Sequence, residues 1–497
     1  MSRRSVHFSV LGSISFRRVL FNGDRATACR NGKFRDAPAF NTIQFSSLTT
    51  HRIPTVKFIC LFFFSFLLSA KLYAQRILTV EEAVATALQN NYDIQLSRND
   101  SIVAALDYSY RNVVFLPTIN GSAGMSSVTN NQKLKFVKRS GGGDSAVNRD
   151  AVKTDNVNYS ANLNWILFDG LKMFTTRDKA VEFLNLGTLT IKDQVVNTIA
   201  TVVSTYYDIV RQKQQIKAID EQIVLNDERV RLAQYKLDIG TGAKPDLLQS
   251  KVDLNAQKAL RLQQETQIDV LKEQLIQAMN TTSRELFDVS DSIPINQRIT
   301  LGQIQNSIEQ TNPGLLIAQK NVDISRLIVK ERKADRWPII SFNSSYLFNQ
   351  NNNNIAVNIN QPFFTQNKGI NYGLSATVPI FNRLNNKRLI QQAELDTRYL
   401  QLAYQSQRSV LTLNVISAYK NYDTQKKALA LEEENILLAR ENVDIVFQVY
   451  KLGGATLVQL REAQNSLELA HFRLIGARFQ LKLAEIELLR LKGELVH

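Results

Sequence analysis

The sequence predicts a mainly helical chain that carries a small membrane-type β part and spells one structural plan twice. Three observations predict it. Only 9 Pro and 20 Gly punctuate 497 residues, so long uninterrupted elements are expected. Segments recur at two offsets: Leu78-Thr79-Val80 matches Ile299-Thr300-Leu301 and Asn91 matches Asn312 at 221, while Tyr159 and Phe168 match Tyr372 and Phe381, and Asn280 matches Gly493, at 213. Between the matches lie two proline-free runs, residues 171–239 and 384–452, each about 100 Å long as a helix.

The chain opens with a leader expected over residues 1–74. Residues 58–70 (FICLFFFSFLLSA) are too short to span a bilayer, but behind Arg52 and Lys57 and ahead of Leu72-Tyr73-Ala74 they read as a signal peptide over about residues 52–74, cleaved before Gln75. Residues 1–50 are basic and without period, as a mis-assigned start would be. Both cysteines, Cys29 and Cys60, fall in the leader, so disulfides and thiolate chemistry drop out of a mature chain. The formal charge of +15 shrinks as well, because the first 74 residues hold 11 Lys+Arg against 2 Asp+Glu and leave 49 basic and 43 acidic residues. A nucleic-acid partner is therefore not expected.

Two repeats follow, over residues 75–297 and 298–497. Each reads as a short helix, an opening helix, a pair of shorter-than-usual strands, a very long helix, a tight turn and a returning helix. Asn90-Asn91 and Asn312-Pro313-Gly314 separate the short helices from opening helices expected over residues 94–116 and 315–337.

The strands alternate with a period of two. Val157, Tyr159, Ala161, Leu163, Trp165 and Leu167 interleave with Asn158, Ser160, Asn162 and Asn164; Tyr372, Leu374, Ala376, Val378 and Ile380 interleave with Asn371, Gly373, Ser375 and Thr377. Phe342 to Phe348 and Ile119 to Met125 repeat the pattern. A soluble sandwich would alternate too, but aromatic residues on the apolar face, Tyr159, Trp165, Tyr346 and Tyr372, fit a membrane girdle, and the amide-rich face fits a water-lined wall. Four strands cannot close a membrane barrel, so closure calls for several chains.

Within the first long helix Ile216, Ile219, Ile223, Asn226, Val230, Ala233 and Leu237 alternate spacings of three and four, the seam of a coiled coil. In the second, Leu431, Leu438, Ile445 and Leu452 repeat every seven residues. The returning helices, residues 245–279 and 457–492, are half as long, so an opening and a returning helix stacked end to end approach the length of a long one.

Two segments read as external loops: residues 131–139, with Lys133, Lys135, Lys138 and Arg139 before Gly141-Gly142-Gly143, and the Asn-dominated run 349–354. The basic cluster is expected to be a solvated charged loop, with contact to lipopolysaccharide phosphates as the alternative. The triple glycine lacks the following Gly-Lys-Ser/Thr of a phosphate-binding loop.

The LTVEEAVATALQNNYDI opening, the LPTI strand entry, the WILFDG and PIF strand exits and the paired YKL...G turns, in this order and written twice, resemble the TolC-like outer-membrane efflux proteins over residues 78–493. The resemblance implies a homotrimer with a 12-stranded β-barrel in the outer membrane, four strands per chain, a small equatorial region and a long periplasmic α-helical barrel. Its partners would be outer-membrane lipid, a periplasmic adaptor protein and an inner-membrane transporter, in an efflux pump or a type I secretion system. It implies adaptor docking at the helix turns, Ile239-Gly240-Thr241-Gly242 and Leu452-Gly453-Gly454-Ala455. It also implies an aperture gate, for which Asp238 and Asp246 are candidates on the first tip and Arg461 and Glu462 on the second; Asp246 could instead cap its helix beside Pro245. Tyr235 to Leu247 spans 12 positions and Tyr450 to Leu460 spans 10, so the second turn is expected to be shorter and the tips inequivalent.

No catalytic, cofactor or metal site is expected, since His7, His51, His471 and His497 are scattered without metal spacing or a nucleophile. A periplasmic adaptor would have one hairpin rather than two, and a coiled-coil scaffold would lack alternating strands.

Overall fold

The computed structural model describes residues 76–136, 145–281, 287–296, 298–356 and 362–495. The expected leader, with Cys29 and Cys60, and Lys138, Arg139 and Gly141 to Gly143 lie outside the described residues.

Strand β1 (Arg76–Leu78) leads into α1 (Val80–Asn90), whose N-cap Thr79 accepts from the Glu82 N–H at 3.2 Å. Then come α2 (Tyr92–Ser109), β2 (Thr118–Phe136), β3 (Ser145–Phe168), α3 (Lys172–Asp238), α4 (Lys244–Met279) and β4 (Phe287–Val289). The second half runs α5 (Leu301–Thr311), α6 (Pro313–Ala334), β5 (Ile339–Asn353), β6 (Phe364–Thr377), α7 (Asn385–Lys451) and α8 (Leu457–Lys492). Helices α3 and α7 both have 67 residues, about 100 Å, and α4 and α8 both have 36. No described helix is long and apolar enough to cross a membrane.

The strands are long rather than short: 19, 24, 15 and 14 residues. In their outer parts apolar residues such as Val128, Leu134, Val147 and Val152 are scattered among polar ones, so no continuous apolar period marks them, and cross-strand hydrogen bonds carry the pairing on. Lys133, Lys135 and most of the 349–354 run therefore sit in strands and not in loops. Strand β6, by contrast, stops at Thr377, ahead of Pro379, so Val378 and Ile380 fall outside it. The opening helices end early, at Ser109 and Ala334. Pro117 and Pro338 bar their predecessors Leu116 and Trp337 from helical backbone, and Leu116 is extended at φ −89°, ψ 151°.

One asparagine per half joins an opening helix to a returning one. Asn91 caps α2 by accepting from the N–H groups of Asp93 and Ile94, and its Nδ2 donates to the Ala278 carbonyl of α4 at 2.8 Å. Asn312 caps α6 at Leu315 and donates to Leu491 O of α8 at 2.9 Å. Each side chain thus satisfies unpaired groups of two helix ends at once. The returning helices end there on left-handed residues, Asn280 at φ 48° and Gly493 at φ 75°.

At mid-height β1 pairs in parallel with β4, an element absent from the sequence reading, and is tied to α3 by Tyr206, whose hydroxyl donates to Leu78 O at 2.8 Å. Around it Val202, Ile209, Leu275, Met279 and Ile486 form one buried core; Ile304, Leu315, Val415, Leu481 and Leu488 form a second.

The seams differ from expectation. In α3, Ile219, Asn226 and Ala233 are buried, but Ile216, Ile223, Val230 and Leu237 are only half-buried, and Gln212, Gln222 and Arg229 take the inner places. In α7 the inner row is Leu429, Ile436, Val443 and Tyr450. The row Leu431, Leu438, Ile445 and Leu452 faces outward, Leu452 being 88% exposed. Both rows are apolar with a period of seven, so periodicity alone could not choose between them.

Candidate functional site: the two-faced sheet and the helix turns

The four strands form one antiparallel sheet in the order β2-β3-β5-β6, with β2 and β6 at its edges. Directly paired residues share a face. The rows Ile119↔Leu163↔Ser344↔Tyr372 and Ala123↔Tyr159↔Phe348 therefore define one face, and Asn120↔Asn162↔Ser345↔Asn371 the other. All four girdle residues, Tyr159, Trp165, Tyr346 and Tyr372, fall on the apolar face. They occupy several levels of it and not one belt. Tyr159 packs on Phe348 with ring centroids 5.8 Å apart, and the Trp165 Nε1–H donates to Phe115 O at 2.8 Å. This face lies open in the single chain, Tyr372 being 80% exposed. The other face is built of amides and hydroxyls that bond to each other, as Ser122 does with Ser160 and Asn343 with Ser375. Its paired positions carry one charged side chain, Arg149, at the outer end.

The strands pass into the long helices through two consecutive left-handed residues, Gly170-Leu171 and Arg383-Leu384. At Gly170 a Cβ would lie 2.6 Å from the Ala334 carbonyl, so glycine is required there for space as well as conformation.

At the far end each long helix stops in a Schellman motif. The Gly240 N–H donates to Leu237 O at 3.0 Å and the Thr241 N–H to Lys236 O at 2.9 Å; the Gly453 N–H donates to Tyr450 O at 3.2 Å and the Gly454 N–H to Val449 O at 3.0 Å. Gly240 and Gly453 take φ of 77° and 83°. Ile239 and Leu452 beside them are exposed, Gly242 is packed against the Lys236 backbone, and Ala455 is half-buried.

The two connections are equally long, residues 239–243 and 452–456, so the expected shortening is wrong. Tyr235 and Tyr450 are not equivalent positions: Tyr235 is 62% exposed and Tyr450 only 5%, and the glycines align at the same 213 offset as the strands. The tips differ in their caps instead. Helix α8 starts with a capping box between Thr456 and Gln459, while α4 starts at Ala243 without a side-chain cap and with Pro245 in its first turn. Asp246 therefore does not cap; it lies exposed in the first turn, where its charge favours the helix dipole. Asp238 is exposed and accepts from Gln234 at 2.8 Å.

Arg461 and Glu462 do not form a pair at the second tip. Glu462 is exposed, whereas Arg461 lines a cavity of about 300 Å³ with Gln222, Asn226, Arg229, Asp253 and Glu468. This polar site behind the tip escaped the sequence reading. Arg229, 1% exposed, donates to Asp253 at 2.6 Å and to Gln464 Oε1 at 2.8 Å, and Gln222 donates to Gln464 O at 2.8 Å, joining α3, α4 and α8. Burial lowers the Arg229 pKa, opposed by the charge of Asp253, and burial raises that of Glu468. Its signal was available: Gln222, Asn226 and Arg229 stand in phase with Ile219 and Ala233. A second link crosses closer to the tip, where Lys236 lies 3.9 Å over the Tyr450 ring and donates to its carbonyl at 2.8 Å.

The family model described as "Outer membrane efflux protein" matches residues 83–281 and 304–494. The outer membrane efflux protein BepC of Brucella suis is 21% identical over 343 residues, covering 67% of this chain and 71% of that protein. The outer membrane protein TolC of Vibrio cholerae is 20% identical over 304 residues, 60% of this chain and 68% of its own. Among solved structures, the outer membrane protein VceC of Vibrio cholerae superposes with a TM-score of 0.68 at 12% identity, over 83% of this chain and 96% of that one, a likeness of fold. With both halves matched, the chain belongs to the outer membrane efflux protein family, whose members are outer-membrane channels.

Proposed function

We propose that the chain is one third of a passive export duct. Three copies pair β6 of one sheet with β2 of the next and close a 12-stranded barrel, apolar face to lipid and amide face to water. Their helices continue as a tube into the periplasm. The two halves, residues 75–297 and 298–497, are copies of one unit, so six quasi-equivalent hairpins wall the tube.

The observation that carries this reading is the open sheet, exposed and apolar on one face, polar and nearly uncharged on the other, and continuous with two helices of 67 residues. A sheet with a polar wall and two bare edges has no stable place in lipid until it closes. The outward row Leu431, Leu438 and Ile445 supports the same assembly, since a neighbouring copy would cover it.

A periplasmic adaptor docks on the exposed turns, Ile239 to Gly242 and Leu452 to Ala455, and receives cargo, small molecules or proteins, from an inner-membrane transporter. Asp238 and Asp246 ring the aperture at the first tip, and Glu462 lies near it at the second. A wide neutral lumen selects little, so the transporter chooses the cargo. Purified chain 75–497, without the leader, tests the reading: a trimer that opens discrete channels in planar bilayers supports it, and a non-conducting monomer refutes it. Asp246→Asn should shift conductance or cation preference, and unchanged values would remove the aspartate ring.

A further inference from the structure

Hairpin β2–β3 outruns the rest of the sheet. The β3–β5 ladder ends at Thr154↔Asn353, while β2 and β3 stay paired out to Phe136↔Ser145. A bulge lies at the root of this extension, where the ladder steps from Asn130↔Val152 to Gln132↔Arg149. Ala151 there takes φ 53°, and its N–H donates to Asn131 Oδ1 at 2.8 Å. Asn354 clamps the same place: its Oδ1 accepts from the Lys153 N–H at 2.7 Å and its own N–H donates to Lys153 O at 3.0 Å. Val152 beneath is buried.

The extension places its lysines on one side. Strand β2 keeps its alternation through the bulge, so Lys133 and Lys135 share the face of Ile119, Met125 and Thr129, about 7 Å from each other. Lys153 pairs with Thr129 on that face, and Lys368 pairs with Phe348, the partner of Tyr159. All four are exposed. Asp155, 3.3 Å from Lys153, is the one carboxylate at the paired positions of this face. From the helical end outward, the face thus runs from an apolar band through Tyr159 and Phe348, with Lys368 level with them, to Phe364 level with Asp155, and then to Lys153, Lys133 and Lys135.

We propose that Lys133, Lys135 and Lys153 bind the phosphate groups of a phosphorylated glycolipid in the outer leaflet of the outer membrane. The inference rests on reading the sheet as the wall of the barrel. The apolar band sets the acyl chains against the strands up to Phe364, the outermost paired aromatic of this face, which brings headgroup phosphates to the level beyond it. There, ammonium groups on the lipid side of the wall meet them, and Arg149 on the lumen side does not.

The test titrates the detergent-purified trimer with a bis-phosphorylated glucosamine-disaccharide lipid and with its dephosphorylated form, scoring bound lipid by native mass spectrometry. Each lysine at an anionic surface is worth roughly a fivefold change, so Lys133→Gln, Lys135→Gln and Lys153→Gln together should weaken the phosphorylated lipid about a hundredfold and leave the dephosphorylated one unchanged. Arg149→Gln should change neither. Equal binding by the triple variant and the parent overturns the proposal, as does an equal loss from Arg149→Gln. Conductance of the same samples in glycolipid-free bilayers separates the two readings: channels that persist in a parent blind to the phosphates retain the duct and reject the lipid site.

Discussion

The two hairpins of long helices have the same lengths and the same Schellman turns, but they are sealed with different chemistry. Hairpin α7–α8 closes on Leu429, Val443, Phe447, Tyr450, Leu460 and Leu467. Hairpin α3–α4 carries near its tip the polar set Gln222, Asn226, Arg229 and Asp253, which runs on to Gln464 of α8 and leaves Arg229 Nε and Gln464 Nε2 buried and unpaired, beside the buried Leu247 and Leu254. Length is set by the distance to be spanned. The content of the seam is free to vary, and a polar seam costs desolvation where an apolar one gains burial.

The largest expected effect breaks the polar seam. Arg229→Ala leaves Asp253 and Gln464 without their partner and should destabilise hairpin α3–α4 by about 3 kcal/mol or more, read as lost hydrogen-exchange protection in α3 and α4; the double variant Arg229→Met, Asp253→Leu should recover most of it. If the single variant matches the parent, the polar seam contributes no stability.

On the apolar side Leu460→Ala should cost about 2–4 kcal/mol, because the side chain is fully buried, read most strongly in α7–α8 exchange with a smaller loss in α3, whose Leu232 packs on the same cluster. A loss shared equally by both hairpins would mean that they unfold as one unit, and the comparison between them would dissolve. The caps sharpen the contrast at smaller scale: Thr456→Ala removes the capping box and should cost about 1 kcal/mol at the start of α8, whereas Ala243→Gly at the N-cap of α4, which has no side-chain cap to lose, should cost nothing or stabilise slightly.

The smallest effect is one of pH. Burial raises the Glu468 carboxyl above its ordinary pKa, so its stabilising contribution is full in acid, where it is protonated in both states, and is lost as pH rises through the folded-state value. Glu468→Gln should therefore stabilise the hairpin at neutral pH, by a margin that shrinks as the pH falls through the carboxylate range. A margin independent of pH would show that the carboxyl charge is not the cause.

The sequence made the long elements legible because their signals are local. The bounds of α8 were read correctly, and those of α3, α4 and α7 to within one residue, from proline-free runs closed by glycine. The alternation at Val157 to Trp165 put the aromatics on the face that the register gives them. Choices that depend on packing were not legible. Two apolar rows two residues apart in α7 compete on equal terms until α8 selects one. The β1–β4 pair joins segments some 210 residues apart and is only three residues long, too short for any period. At the candidate site the turn glycines stood out because positive φ demands them. Arg229 did not, because a basic residue in a helix reads as solvated until its neighbours are known.

The central claim is that β6 of one chain pairs with β2 of another. Single-cysteine pairs that join Ser122, Gly124 or Ser126 on β2 to Asn367, Asn371 or Ser375 on β6, introduced into chain 75–497, which holds no cysteine, and oxidised in membranes, test it most directly. The account predicts that at least one register gives a covalent trimer ladder in high yield while cysteines paired between β3 positions give none. Cross-links formed only within one chain, or none in any register, would contradict it.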